Sequence, residues 1–133
     1  MSVDDARAVS ADLARVARQT QGLDLLLLFG SRSRGQAHDR SDWDLGYLGT
    51  GQVGVDRLLA DLVTVLGTDR VDLVDLSRGS GVLRYRAACD GQVIFERTPG
   101  IADGFRLEAV GFWCDVEPVL RAGYASVLAD LDR

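Results

Sequence analysis

Residues Gly30 to Asp44 read GSRSRGQAHDRSDWD: a Gly-Ser pair, ten intervening residues, then an Asp-x-Asp. A glycine lets backbone approach a ligand closely, because no Cβ intrudes. If a helical turn opens at Ser31, its unpaired N–H groups and dipole favour an anion at that point. The Ser31 hydroxyl could add a hydrogen bond, and Arg32 or Arg34 could add charge. The same residues would also serve as a tight turn with Ser31 as an ordinary N-cap. From the turn alone, both readings stand.

Asp42 and Asp44, two apart on a strand, project from one face at roughly 6–7 Å. At an effective dielectric near 20, two ionised groups that close repel by roughly 2–3 kcal/mol. Exposure to water relieves this, and so does a bound divalent cation. All-oxygen ligands suit Mg²⁺ or Mn²⁺ better than Zn²⁺. A third acid follows in Val71-Asp72-Leu73-Val74-Asp75-Leu76. An acid inside an apolar strand is costly unless paired or metal-bound. Asp72 and Asp75 differ by an odd number, so only one can share the face of the first pair. Asp72, further inside the strand, is the better candidate, and Asp75 is expected to end the strand beside the Ser77–Gly81 turn.

Competing chemistries find no support. No Gly-x-x-x-x-Gly-Lys-Ser/Thr occurs, and the chain has no lysine, which excludes a P-loop. Ser31 lies outside any Gly-x-Ser-x-Gly elbow, and the lone His38 is a weak triad partner. His38, between Ala37 and Asp39, reads as a solvated loop residue, with a substrate contact as the alternative. Trp43 and Tyr47 read as core, with base stacking as the alternative.

The elements that must position these residues alternate. Val9, Leu13, Val16 and Ala17 recur at helical spacing after a Ser2/Asp5 capping box. Leu23 to Phe29 is a continuous apolar run, as expected of a buried central strand. Asp42 to Leu48 alternates, with Asp42, Asp44 and Gly46 on one face and Trp43, Leu45 and Tyr47 on the other. Val55, Leu58, Leu59, Leu62, Val63 and Leu66 form an amphipathic helix stopped by Gly67. Arg70 to Leu76 reads as a third strand, Gly81 to Cys89 as a short helix, and Gln92 to Glu96 as a fourth, edge strand. Arg97 to Gly104 reads as a linker. A helical tail follows, striped by Phe105, Ala109, Phe112, Val116, Leu120, Val127 and Leu131, with Pro118 expected to kink it. Strands alternating with helices place the chain in the α/β (α+β) class.

At 133 residues, the chain is expected to be one domain, 1–133, with a core of about 20–97 and a C-terminal helical segment of about 102–131. Net charge is −5, from twenty acidic residues and fifteen basic ones, all Arg. An acidic surface is a poor general nucleic-acid binder, so no strong direct nucleic-acid binding is expected. Cys89 and Cys114 lack metal-ligand spacing and read as buried or half-buried thiols in a reducing cytosol. The polar start MSVDDARAV lacks the apolar region of a signal peptide, and Leu25 to Phe29 is too short to span a bilayer. A cytoplasmic location without membrane contact is expected.

Leu28-Phe29-Gly30-Ser31-Arg32-Ser33-Arg34-Gly35, with Ser41-Asp42-Trp43-Asp44-Leu45 and Val71-Asp72-Leu73, resembles the signature of the DNA-polymerase-β-like nucleotidyltransferase superfamily. The match is closest to its minimal members, the MNT domains, and covers about residues 20–97. Size and layout are also similar to the antitoxins of HEPN/MNT toxin–antitoxin pairs. The resemblance implies a small mixed β-sheet flanked by helices. It further implies that Gly30 and Ser31 bind the β- and γ-phosphates of ATP, with Arg34 neutralising charge there. Asp42, Asp44 and Asp72 would be catalytic and hold two Mg²⁺ ions. The implied reaction is transfer of AMP to a tyrosine of a partner HEPN-type RNase toxin. Two alternatives remain: an antitoxin acting mainly by binding, and a nucleotidyltransferase with a small-molecule acceptor. Beyond residue 97 no second domain is legible that would bind an antibiotic or tRNA.

Overall fold

The computed structural model describes residues 3–30, 42–112 and 118. Their order is α1 (Val3–Gln19), β1 (Leu23–Phe29), β2 (Trp43–Gly49), α2 (Val55–Leu66), β3 (Val71–Asp75), α3 (Gly81–Asp90) and β4 (Gln92–Glu96). A further helical stretch covers 101–112. The four strands form one mixed sheet in the order β3-β2-β1-β4. β1 runs antiparallel to both β2 and β4, whereas β2 and β3 are parallel. The parallel pair is joined through α2, because parallel neighbours need a crossover rather than a hairpin.

β1 is central because its composition leaves it no solvent face. Leu23, Leu25, Leu26 and Leu27 are fully buried and Leu28 and Phe29 nearly so. Each such leucine contributes about 2 kcal/mol of transfer free energy. Alternation along β1 divides the core in two. Leu26 and Leu28 join Trp43, Leu45 and Tyr47 under α1 and α2, which supply Leu13, Val16, Ala17, Leu58 and Leu62. Leu25, Leu27 and Phe29 face the other way, against Ala87 and Ala88 of α3 and Ala102, Phe105 and Ala109 of the 101–112 helix. The expected assignment of Trp43 and Tyr47 to the core therefore matches their positions.

Local signals explain where the elements stop. Gly67 adopts the left-handed conformation after α2, and its N–H reaches the Val63 carbonyl. Ser80 caps α3 by accepting the Leu83 N–H at 3.2 Å. The Arg97 guanidinium closes the opposite corner. Its Nε donates to the Leu23 carbonyl at 2.8 Å, and its Nη2 reaches the Thr20 and Arg18 carbonyls just past and within the end of α1.

Three expectations need correction. Residues 101–104, where the expected linker overlapped the helical segment expected from about 102, are helical, because the Glu96 carboxylate accepts the Ala102 N–H at 3.0 Å and caps the first turn. Phe112 leaves the buried stripe: it is 49% exposed, with its ring edge against Gly81. Cys89 is exposed rather than buried, since Ala87 and Ala88 occupy the inward face of α3. Pro118 is helical and exposed. Ser2, Cys114, Val116, Leu120, Val127 and Leu131 lie outside the described residues. No helix among the described residues is long and apolar enough to cross a membrane.

Candidate active site

The site forms where β1 ends and β2 and β3 begin. The Trp43 N–H donates to the Arg70 carbonyl at 2.9 Å, which fixes the start of β2 against the start of β3. The parallel register then sets Asp44 beside Asp72, while the antiparallel register sets Asp44 beside Phe29. Adjacent strands lie about 4.8 Å apart, so Asp44 and Asp72 are immediate neighbours on one face. That face carries Leu25, Leu27 and Phe29, and is covered further along by α3 and the 101–112 helix. Asp42 stands at the residue just before β2.

Asp75 pairs in register with Tyr47 and takes the opposite parity. Its carboxylate is engaged in a turn, accepting the Ser77 N–H at 3.0 Å and the Ser77 hydroxyl at 2.6 Å. Arg78 lies 3.8 Å away as a loose ion pair. Strand parity thus separates the two acids of β3: Asp72 faces Asp44, and Asp75 closes the strand.

Asp44 is half-buried, whereas Asp42 and Asp72 are exposed. Burial raises the Asp44 pKa above its ordinary 3.8, and the neighbouring charges of Asp72 and then Asp42 raise it further. The three carboxylates therefore share one electrostatic field. The expected burial penalty for Asp72 is not incurred, because β3 is an edge strand and its acid reaches water. Among the described residues, no three acidic, His or Cys side chains form an assembled group of metal ligands. Asp44 with its two acidic neighbours is a partial, all-oxygen set open to solvent. Such a set suits Mg²⁺, which keeps several waters and takes further oxygens from a bound phosphate.

Gly30 follows directly on β1 with φ +78°, a backbone conformation natural to glycine and strained for most other residues. A Cβ placed on it would overlap the Asp44 Oδ2. Gly30 and Asp44, separate in sequence, thus approach one another closely. Ser31, Arg34 and His38 lie outside the described residues. Gly46, next to Asp44 on the same face, admits the Leu76 side chain, which a Cβ would meet at 2.8 Å. Neither glycine contact has a signature in the sequence; both arise from strand register. A separate concavity of about 500 Å³ lies at the far end of β2, walled by Tyr47, Gln52, Val53, Asp75 and Arg78, away from the carboxylates.

Comparison with known proteins identifies the family. The sequence model of the family described as "Polymerase beta, Nucleotidyltransferase" matches residues 11–99. A curated relative, the protein adenylyltransferase MntA of Aphanizomenon flos-aquae (strain 2012/KM1/D3), is 30% identical over 96 residues. That match covers 63% of this chain and 64% of the relative, so the chain spans less than two thirds of the relative's length. Among solved structures, a toxin–antitoxin with AMP-PNP superposes with a TM-score of 0.71 at 26% identity, over 93% of this chain and 98% of the other. The tri-AMPylated Shewanella oneidensis HEPN toxin in complex with its MNT antitoxin gives a TM-score of 0.67 at 23% identity, over 96% and 98%. At that identity the likeness speaks for the fold alone.

Proposed function

Because the chain belongs to the polymerase-β nucleotidyltransferase family, whose model spans residues 11–99, we propose that it is a Mg²⁺-dependent protein adenylyltransferase. In this reading it acts as an antitoxin in the cytoplasm, transferring AMP from ATP to a tyrosine of a partner HEPN-type RNase toxin. The observation that carries the reading is the register pairing of Asp44 with Asp72, with Gly30 packed against Asp44. Adenylylation by the curated MntA relative and the toxin–antitoxin assemblies among the solved structures support the acceptor class.

The acceptor hydroxyl attacks the α-phosphorus of ATP, a new P–O bond forms, and the bond to the β-phosphate oxygen breaks to release pyrophosphate. Gly30, Ser31 and Arg34 would hold the β- and γ-phosphates, so that leaving charge develops against backbone N–H groups and a cation. Asp42, Asp44 and Asp72 would hold Mg²⁺, which supplies Lewis-acid charge to the phosphates and lowers the pKa of the attacking hydroxyl. Asp72, exposed at the sheet edge, has the access needed to take the hydroxyl proton to water. Asp44, the half-buried member, anchors the set.

The test is incubation of the purified chain with labelled ATP, Mg²⁺ and the product of the adjacent open reading frame. Label on the partner, lost with Asp42→Asn, is the expected result. An unlabelled partner, or equal labelling by the variant, would sink the proposal. One observation favours a second reading, in which the chain neutralises a toxin by binding: Leu107 is 77% exposed on the outer side of the 101–112 helix. Neutralisation that survives loss of both Asp42 and Asp44 would select it. A small-molecule acceptor would appear instead as ATP consumption in a screen of candidate acceptors without any protein partner.

A further inference from the structure

Gly30 has a second task besides any contact with phosphate. Three glycines with similar positive φ show the difference. Gly51 at +74° and Gly67 at +67° would meet nothing within 4 Å if they carried a Cβ. Their requirement is for backbone freedom alone. Gly30, at +78°, has both the conformation and a crowded site. The three nearest atoms to its absent Cβ all belong to Asp44: Oδ2, which would overlap, then Cγ at 3.2 Å and Cβ at 3.4 Å. The cause is topological. Phe29 pairs with Asp44, so the chain leaving β1 must pass beside the Asp44 side chain.

The Asp44 carboxylate has neighbours on both adjoining strands. Asp72 stands beside it on β3, and Phe29 opposite it on β1. A side chain at position 30 would therefore turn the carboxylate away from its present direction.

We propose that Gly30 is a positioning residue for Asp44: its missing Cβ is the space in which the carboxylate sits, and this sets the affinity of the site for a divalent cation. The inference rests on Asp44 being a cation ligand. It separates two requirements at one position. Asparagine tolerates the left-handed backbone, so Gly30→Asn restores the conformation but not the space. Gly30→Ala violates both.

The test uses the full chain without nucleotide, with Mn²⁺ binding read by electron paramagnetic resonance and Tm read in parallel. Both Gly30→Ala and Gly30→Asn are expected to weaken Mn²⁺ binding by about tenfold or more, as loss of a ligand-orienting contact does. In an Asp44→Ala background, adding Gly30→Ala should weaken Mn²⁺ no further. Its Tm loss there should also be smaller than in the native chain, since no carboxylate remains to be displaced. Native-like Mn²⁺ binding by Gly30→Asn would overturn the proposal, and so would Tm losses that simply add. A native chain without Mn²⁺ affinity would instead overturn the cation reading. That failure is recognisable because the Tm coupling between positions 30 and 44 would persist.

Discussion

At the scale of single residues, the electrostatic cost of the proposed site centres on Asp44. Its pKa is raised by burial and by Asp72 and Asp42, so the folded state holds its proton more tightly than the unfolded chain does. Stability therefore falls as pH rises from 3.8 through the folded pKa, and the penalty persists above it. Asp44→Asn should remove that penalty and raise Tm at pH 7. The gain should vanish below the ordinary carboxylate range, where both chains are neutral at this position. Calorimetry across pH checks the sign; an Asn variant less stable at pH 7 would contradict it. The same variant should abolish AMP transfer. Mg²⁺ should raise the Tm of the native chain, as a ligand binding only the folded state must, but not that of Asp44→Asn.

At the scale of elements, the sheet register does most of the positioning. β2 and β3 are parallel, so Asp44 and Asp72 meet only because α2 returns the chain to the same end of the sheet. Loss of Leu62, fully buried on the inward face of α2, should cost about 2–5 kcal/mol as Leu62→Ala and lower the denaturation midpoint accordingly. Arg97 does a comparable job at the other corner, donating to carbonyls just past the end of α1 and at Leu23. Arg97→Met, which keeps the aliphatic stem, should cost about 1–2 kcal/mol in urea unfolding. Activity measured well below the midpoint should be unchanged, because these bonds lie away from the carboxylates. The start of the 101–112 helix was only roughly legible in sequence, as a helical segment from about 102 that overlapped the expected linker. Its first turn is capped by Glu96 across the intervening turn, a contact that neither Gly100 nor Gly104 announces.

At the scale of the whole molecule, the two faces of the sheet are closed by different stretches of sequence. The family match ends at residue 99, yet Ala102, Phe105 and Ala109 complete the core against Leu25, Leu27 and Phe29. A chain truncated after residue 99 should therefore expose that face, bind a hydrophobic dye and lose a cooperative thermal transition; a sharp, dye-free transition would refute this. Sequence by itself determined the elements that repeat strongly: the leucine run that had to be central, the heptad-like stripe of α2, and the alternation that put Asp42 and Asp44 opposite Trp43 and Tyr47. Parity showed that only one of Asp72 and Asp75 can share that face, and the deeper position of Asp72 in its strand selected it. Only the tertiary structure decided how these pieces bear on one another. Strand order put Asp72 at an edge, where water removes the burial penalty its apolar neighbours suggested. Register brought Gly30 against Asp44, fourteen positions away in the chain. Local patterns record what each segment buries. They do not record which segment lies alongside, and that is what brings Asp44, Asp72 and Gly30 together.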